Sequence, residues 1–316
     1  MHHSDRVRLR TGVEVSRLAL GTAAFGGLFA SVSNQQCYET LHAAVDSGMN
    51  FIDTAPHYGK GRSEVRVGNA VKSLDANQLV ISTKIGRLLV SSNTDIDDFF
   101  LDADNSVERK FDFTAAGVRA SFESSLQRLG VDHIDILFIH DPDDHADDAV
   151  LKAYPELERM RSEGLIKAIG IGMNQTAIPT RFVRETDIDM VLIAGRYSLL
   201  DQSAADELLP LALERGVDVI AAGVFNSGIL ANPVKGATYD YMPASDELIT
   251  RAQRIREILD SHEVSLTGAA MQFPLQHPAV KSVLVGCRSV DEVVKNIEEF
   301  DKEIPNKVWE DLVSVL

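Results

Sequence analysis

Short, almost continuously apolar runs alternate with longer segments whose apolar positions recur every three or four residues. The first kind reads as strands covered on both faces, the second as helices with one buried face. Eight strands are placed this way, at 17–20, 50–53, 79–83, 134–139, 166–171, 190–193, 217–221 and 282–285. Helices are expected at 34–47, 114–129, 147–163, 204–215, 245–262 and 290–300. Asp147 marks one helix start and Ser245, followed by Asp246 and Glu247, another, because acids suit the positive end of a helix and a hydroxyl accepts from its free N–H groups. Strand–helix alternation forces a parallel sheet, and eight repeats with no edge strand to protect predict a closed (β/α)8 TIM barrel. No linker interrupts the repeat, so residues 1–316 are expected to form one domain. Segments 86–112, after strand three, and 226–244, after strand seven, exceed the repeat and are expected to be lids over the pocket. Segment 305–316 carries Trp309, Leu312, Val313 and Val315 at the spacing of a C-terminal docking helix or a dimer contact.

Composition narrows the function classes. With 45% hydrophobic and 25% charged residues the chain is an ordinary globular sequence rather than a disordered one. Thirty-one bases against 47 acids leave a net charge of −16, which disfavours nucleic acid and anionic membrane as partners. Cys37 and Cys287 belong to no metal or disulfide spacing. The opening residues Met1-His2-His3-Ser4-Asp5-Arg6 contain no apolar signal core, and no run is long enough to span a membrane, so a cytoplasmic monomer or homodimer is expected.

Candidate chemistry collects at strand ends. Asp53 closes strand two and Tyr58 follows in the same loop; Lys84 ends strand three and His140 ends strand four. A barrel places its active site at these C-terminal mouths. A lysine held by a carboxylate and set beside a phenol favours the ionised phenol, so Tyr58 is expected to have a lowered pKa and to carry a proton, with His140 orienting the reacting oxygen. His57 reads as a packing or loop residue and His133 as part of the exposed approach to strand four. The run 140–145, His-Asp-Pro-Asp-Asp-His, is read as a helix start with Asp143 and Asp144 in capping positions, not as a metal site. Asp95, Asp97, Asp98, Asp102 and Asp104 read as solvated acids of the lid, since they lack a calcium-loop pattern.

Strand-end Asp53, Tyr58, Lys84 and His140 together resemble the aldo-keto reductase superfamily. So do Gly21-Thr22, the run Tyr58-Gly59-Lys60-Gly61-Arg62-Ser63-Glu64, the run 129–135 and Gly170-Ile171-Gly172-Met173-Asn174. The resemblance implies a nicotinamide cofactor across the barrel mouth, in keeping with the missing GxGxxG fingerprint. Gly21, Thr22, Asp53, Asn174, Tyr197, Ser227, Gly228, Gly286, Arg288, Glu292 and Asn296 are the implied cofactor contacts, and Phe25, Tyr58 and His140 the substrate contacts. Asn174 with His140 would hold the carboxamide. Ala194-Gly195 and Ala222-Gly223 stand where relatives have a glutamine and a stacking aromatic, leaving Tyr197, Phe225 and Arg196 as replacements. Glu292, where relatives that prefer NADP often place arginine, points to NAD, with NADP as the alternative because Arg288 is adjacent. Within the superfamily the segments 21–27, 140–145, 194–202 and 223–228 resemble the aldose 1-dehydrogenase branch, implying oxidation of a hemiacetal carbon to a lactone. Pyridoxal oxidation to 4-pyridoxolactone, NADPH-dependent carbonyl reduction and a redox-sensing subunit are the alternatives.

Overall fold

The computed structural model describes residues 1–92 and 99–315. Eight parallel strands close into a barrel: β1 Leu18–Gly21, β2 Phe51–Asp53, β3 Val80–Ile85, β4 Ile136–His140, β5 Ala168–Met173, β6 Met190–Ala194, β7 Asp218–Ala222 and β8 Val280–Gly286. Each pairs with the next, and β8 returns to β1. Most expected strands recur shifted one or two residues toward their C-terminal ends. The register with neighbours carries the ladder past the apolar run and into polar residues such as Lys84 and His140.

Side chains alternate between two layers, as strand geometry requires. Leu20, Ile52, Ile81, Leu137, Ile171, Val191 and Val283 face the helices, while Phe51, Val80, Phe138, Met190, Ile220 and Leu284 fill the barrel. Leu9, Val13 and Val15 join that inner layer from an antiparallel hairpin, Arg6–Arg8 with Glu14–Ser16, that the apolar pattern did not disclose. Several acids are structural clamps at the strand starts rather than solvated surface. Asp135 accepts from Ile81 N–H at 2.8 Å, Asp189 from Ile169 N–H at 2.8 Å and Asp218 from Arg10 N–H at 2.6 Å.

Helices α1 Asn34–Asp46, α2 Arg62–Val71, α3 Ala115–Leu129, α4 Tyr154–Ser162, α5 Ala177–Glu185, α6 Leu208–Arg215, α7 Asp246–Ser261, α8 Leu266–Gln272, α9 Val290–Asp301 and α10 Asn306–Leu312 surround the barrel. Ser245 caps α7, accepting from Leu248 N–H at 3.3 Å. Asp147 lies in the first turn of the expected helix, which runs from Ala146–Asp148 through a π-helical turn at Ala149–Ala153 into α4. A 3-10 turn at Asp143–His145 precedes it, and the π-helical turn falls just before Pro155, which lacks the N–H that an unbroken α-helical ladder would use. Asp143 and Asp144 lie inside the 3-10 turn, and no side-chain cap forms there. The expected docking helix is α10, which buries Val308 and Leu312 in a cluster with α7 and α8; Leu316 lies outside the described residues.

The first lid begins as a hairpin, Arg87–Ser91 with Val107–Phe111. Asp95, Asp97 and Asp98 fall outside the described residues. Asp102 and Asp104 are anchors and not solvated acids: Asp102 accepts from Ser31 Oγ, Val32 N–H and Arg66, and Asp104 from Ser106. No described helix is long and apolar enough to cross a membrane.

Candidate active site

Asp53 and His140 end β2 and β4, Lys84 is the penultimate residue of β3 between them, and the three converge at one mouth of the barrel. The loop carrying Tyr58 is held by close backbone approach. A Cβ on Gly26 would lie 2.5 Å from Gly59 N, and Gly59 itself has φ +60°. Lys84 Nζ donates to both oxygens of Asp53, at 2.8 and 2.6 Å, and to Thr54 O at 2.8 Å, with both partners 1% exposed. Ser82 Oγ supplies another donor to Asp53. Nearby, buried Glu64 braces α2 by accepting from Thr83 and Arg128.

Lys84 Nζ sits 4.8 Å from the centroid of the Tyr58 ring. The expected lowering of the Tyr58 pKa is nevertheless reversed. Desolvation first, then the Asp53 charge, push the phenol well above its ordinary 10, although its ring keeps an edge open to the cavity. Lys84 spends two of its donors on the two oxygens of Asp53, so the lysine's positive charge is largely cancelled before it reaches the phenol. Tyr58 is a protonated donor in the folded chain.

The cavity above Tyr58 has a volume of about 310 Å³. Tyr58, Lys84, His140 and Asn174 line it, together with residues sequence reasoning assigned elsewhere or passed over: His57, Asp141, Phe100, Arg109 and Tyr241. The lids do frame it, since Phe100 and Arg109 come from the first and Tyr241 from the second. Arg87 Nη1 donates to His57 Nδ1 at 3.1 Å and Arg87 Nη2 to Asp141 at 3.1 Å, while Arg109 donates to His57 O at 2.9 Å. Asp141 holds φ +39°, a strained angle for a side-chain-bearing residue. The alternation of Val107-Glu108-Arg109-Lys110-Phe111 was an available signal for Arg109, whereas the run Arg87–Ser91 carries none for Arg87. His57 is therefore more than packing. Phe25 is a correction in the other direction: it is fully buried in the main core, because the turn Ala23–Gly26 aims its ring inward and leaves Ala23 and Leu28 on the cavity.

Beyond Tyr58 the cavity opens into a groove of about 500 Å³. Ten of the expected cofactor residues border it: Gly21, Thr22, Asp53, Asn174, Ser227, Gly228, Gly286, Arg288, Glu292 and Asn296. Tyr197 does not. Its ring packs on Phe273 and His277, 5.2 and 6.0 Å away, among the apolar residues under α8. Arg196 is committed to Asp201 and Asp240. Phe225 borders the groove, and Tyr58 and Tyr241 are the aromatic side chains shared by groove and cavity. The shape fits a nicotinamide dinucleotide: a Cβ on Gly228 would meet nothing within 4 Å, so the glycine wall leaves an open cradle, and Ala194 and Ala222 leave room where bulkier residues would intrude. Buried Asn226 donates to Gly195 O, while its Oδ1 has no protein partner among the described residues, an acceptor at the groove wall. At the far end Glu292 accepts from Arg288 N–H at 2.7 Å and lies 3.5 Å from its guanidinium, while Ser289 caps the same helix.

Both cavity histidines are neutral. Burial, followed by the charge of Arg87, holds His140 well below its ordinary 6.5 and His57 at about 2. The unfolded chain takes up a proton at each near pH 6.5 that the folded chain refuses. Stability from these groups is complete above pH 6.5 and is lost as pH falls below it, by at most about 1.4 kcal/mol per pH unit for each histidine. His57→Phe is expected to flatten the fall in melting temperature between pH 7 and 5; a slope equal to that of the parent protein would contradict the neutral assignment.

The aldo/keto reductase family model matches residues 17–316. The chain is 42% identical to the D-threo-aldose 1-dehydrogenase of a Pseudomonas species, over 99% of this chain and 97% of that protein. It is 41% identical to the pyridoxal 4-dehydrogenase of Microbacterium luteolum, over 96% and 95%. Among solved structures, an aldo-keto reductase from Bacillus halodurans in its holo form superposes with a TM-score of 0.81 at 23% identity, covering 99% of this chain and 96% of that one, which speaks for the fold.

Proposed function

Because the chain belongs to the aldo/keto reductase family, we propose that it oxidises the hemiacetal carbon of an aldose of the D-threo (L-fucose) type to a lactone, with NAD as the preferred acceptor. It is an NAD(P)-dependent oxidoreductase acting on CH–OH groups. The observation that carries the narrower reading is a sugar-sized cavity in which Tyr58, His140, His57 and Asp141 present polar groups beside the groove.

A bound nicotinamide supplies the hydride acceptor. The groove residues Asn174, Ser227 and Gly286 would hold it, and Asn226 Oδ1 offers an acceptor for an amide N–H. Tyr58 exchanges the proton of the substrate hydroxyl, neutral His140 donates a hydrogen bond to the same oxygen, and the Lys84–Asp53 pair fixes the floor on which the phenol rests. Glu292 supports NAD in two ways: its carboxylate repels a 2′-phosphate, and it occupies the neighbouring Arg288. NAD is expected to exceed NADP in kcat/KM by about five- to tenfold, and Glu292→Ala to remove most of that ratio. A parent enzyme that prefers NADP would refute the assignment.

The apolar side of the cavity, Leu28, Phe100, Met173 and Leu192, favours a second reading, a flat aromatic aldehyde such as pyridoxal. Initial rates with L-fucose, D-arabinose, L-galactose and pyridoxal, each with NAD and NADP, decide between them. Efficient NADPH oxidation with simple aldehydes would favour a reductase, and cofactor binding with a single turnover a redox sensor.

A further inference from the structure

We infer that His57 and Asp141, held by the one guanidinium of Arg87, form a recognition site for a substrate hydroxyl other than the one oxidised. This rests on the reading of the cavity as a sugar site and adds residues to it.

Arg87 stands on the first strand of the lid hairpin. A guanidinium has donors only, so its 3.1 Å bond to His57 Nδ1 fixes that nitrogen as an acceptor and puts the imidazole proton on Nε2. Nε2–H is the remaining polar edge of a ring that lines the cavity. The ring is also held in place: its centroid lies 5.4 Å from Phe100 and 5.6 Å from His140, edge to face in both cases. Arg109, two ladder positions from Arg87 on the same hairpin, fixes the backbone of the same residue through His57 O. The other arm of Arg87 holds Asp141 Oδ2, which also lies 3.5 Å from His140 Nε2. Asp141 lines the cavity as an acceptor.

The wall therefore offers one neutral N–H donor and one carboxylate acceptor, preset by a single cation. A hydroxyl needs that combination, since it both accepts and donates. An aldehyde or alcohol carrying no second hydroxyl would leave both groups unpaired, and a site built to pair a hydroxyl discriminates against analogues that lack it. His57 and Asp141 are substrate-binding residues in this scheme; Arg87 acts through them as a positioning residue.

The test compares L-fucose with its 2-deoxy and 3-deoxy analogues in the parent enzyme and in His57→Phe, with saturating NAD. For at least one deoxy sugar, the ratio of kcat/KM for L-fucose to that for the analogue is expected to fall roughly ten- to hundredfold in the variant. An equal loss for all three sugars, or no loss for any, overturns the proposal, since a merely shape-filling ring would act on them alike. Failure of the functional reading is a separate result: the parent enzyme would turn over none of the sugars with either dinucleotide. In that event the site is judged by ¹⁵N spectra of the histidines in NAD-saturated enzyme titrated with L-fucose. The expected result is an Nε2–H signal of His57 that moves on titration, an Nδ1 signal altered in Arg87→Met and restored toward the parent in Arg87→Lys. A His57 signal that ignores the sugar overturns the proposal.

Discussion

Replacing Tyr58 by phenylalanine is expected to lower kcat for the dehydrogenation by about 10²–10⁴-fold while leaving dinucleotide affinity within a few-fold of the parent. The ring itself packs between Lys84 and Phe100 and is retained in the variant, so only the hydroxyl proton is lost. Because the phenol sits well above its ordinary pKa, the parent oxidation rate should still be climbing at the alkaline end of its profile. Oxidation needs the phenolate, whose fraction grows with pH. The neutral histidines should contribute no limb near pH 6.5, since His57 and His140 are both pushed below that value. Initial rates from pH 6 to 10 and an independent cofactor titration check both halves. Near-parental turnover by Tyr58→Phe, or a flat profile above pH 7, would remove Tyr58 from the proposed chemistry.

Lys84→Met should produce the largest loss of stability. It strips Asp53, 1% exposed, of its bidentate partner and leaves a buried carboxylate facing the Tyr58 ring. Breaking a buried pair on one side costs about 3–5 kcal/mol, which for a chain of this size is a fall of roughly 5–8 °C in melting temperature. Turnover should fall as well, because the phenol loses the support beneath it. Combining Lys84→Met with Asp53→Leu removes the orphaned charge and should recover most of the stability without recovering the activity. Calorimetry of the three variants against the parent decides. A single variant that melts within 2 °C of the parent would show that the pair contributes far less than its geometry implies.

The cofactor wall shows how far residue identity alone could go. Gly286, Arg288, Glu292 and Asn296 occupy one strand end and the first turns of one helix, so their spacing already put them on a common surface. Tyr197 and Phe25 looked equally suitable by type. Their neighbours carried the deciding information: Leu199 and Leu200 follow the first into the apolar cluster under α8, and a tight turn swings the second into the core. Glu292 is a case where one residue meets two demands, since the same carboxylate that faces the groove also closes the start of α9.

The alternation of apolar runs and amphipathic segments determined the barrel by itself, because strand and helix periods are local and a closed parallel sheet is the arrangement that buries eight such strands without leaving an edge. The same local logic placed Asp53, Lys84 and His140 at the mouth, since the end of an apolar run marks a strand's C-terminal end to within a residue wherever the strand lies. Contacts between segments far apart in sequence were decided only by the tertiary structure. Arg87 reaches His57 and Asp141 across separations of 30 and 54 residues, and the hairpin of Arg6–Arg8 with Glu14–Ser16 meets the barrel interior through strands far along the chain. The protonation of Tyr58 belongs to the same class. Its direction depended on which charge the folded chain left uncancelled beside the phenol, and that balance of distance and burial has no counterpart in residue order.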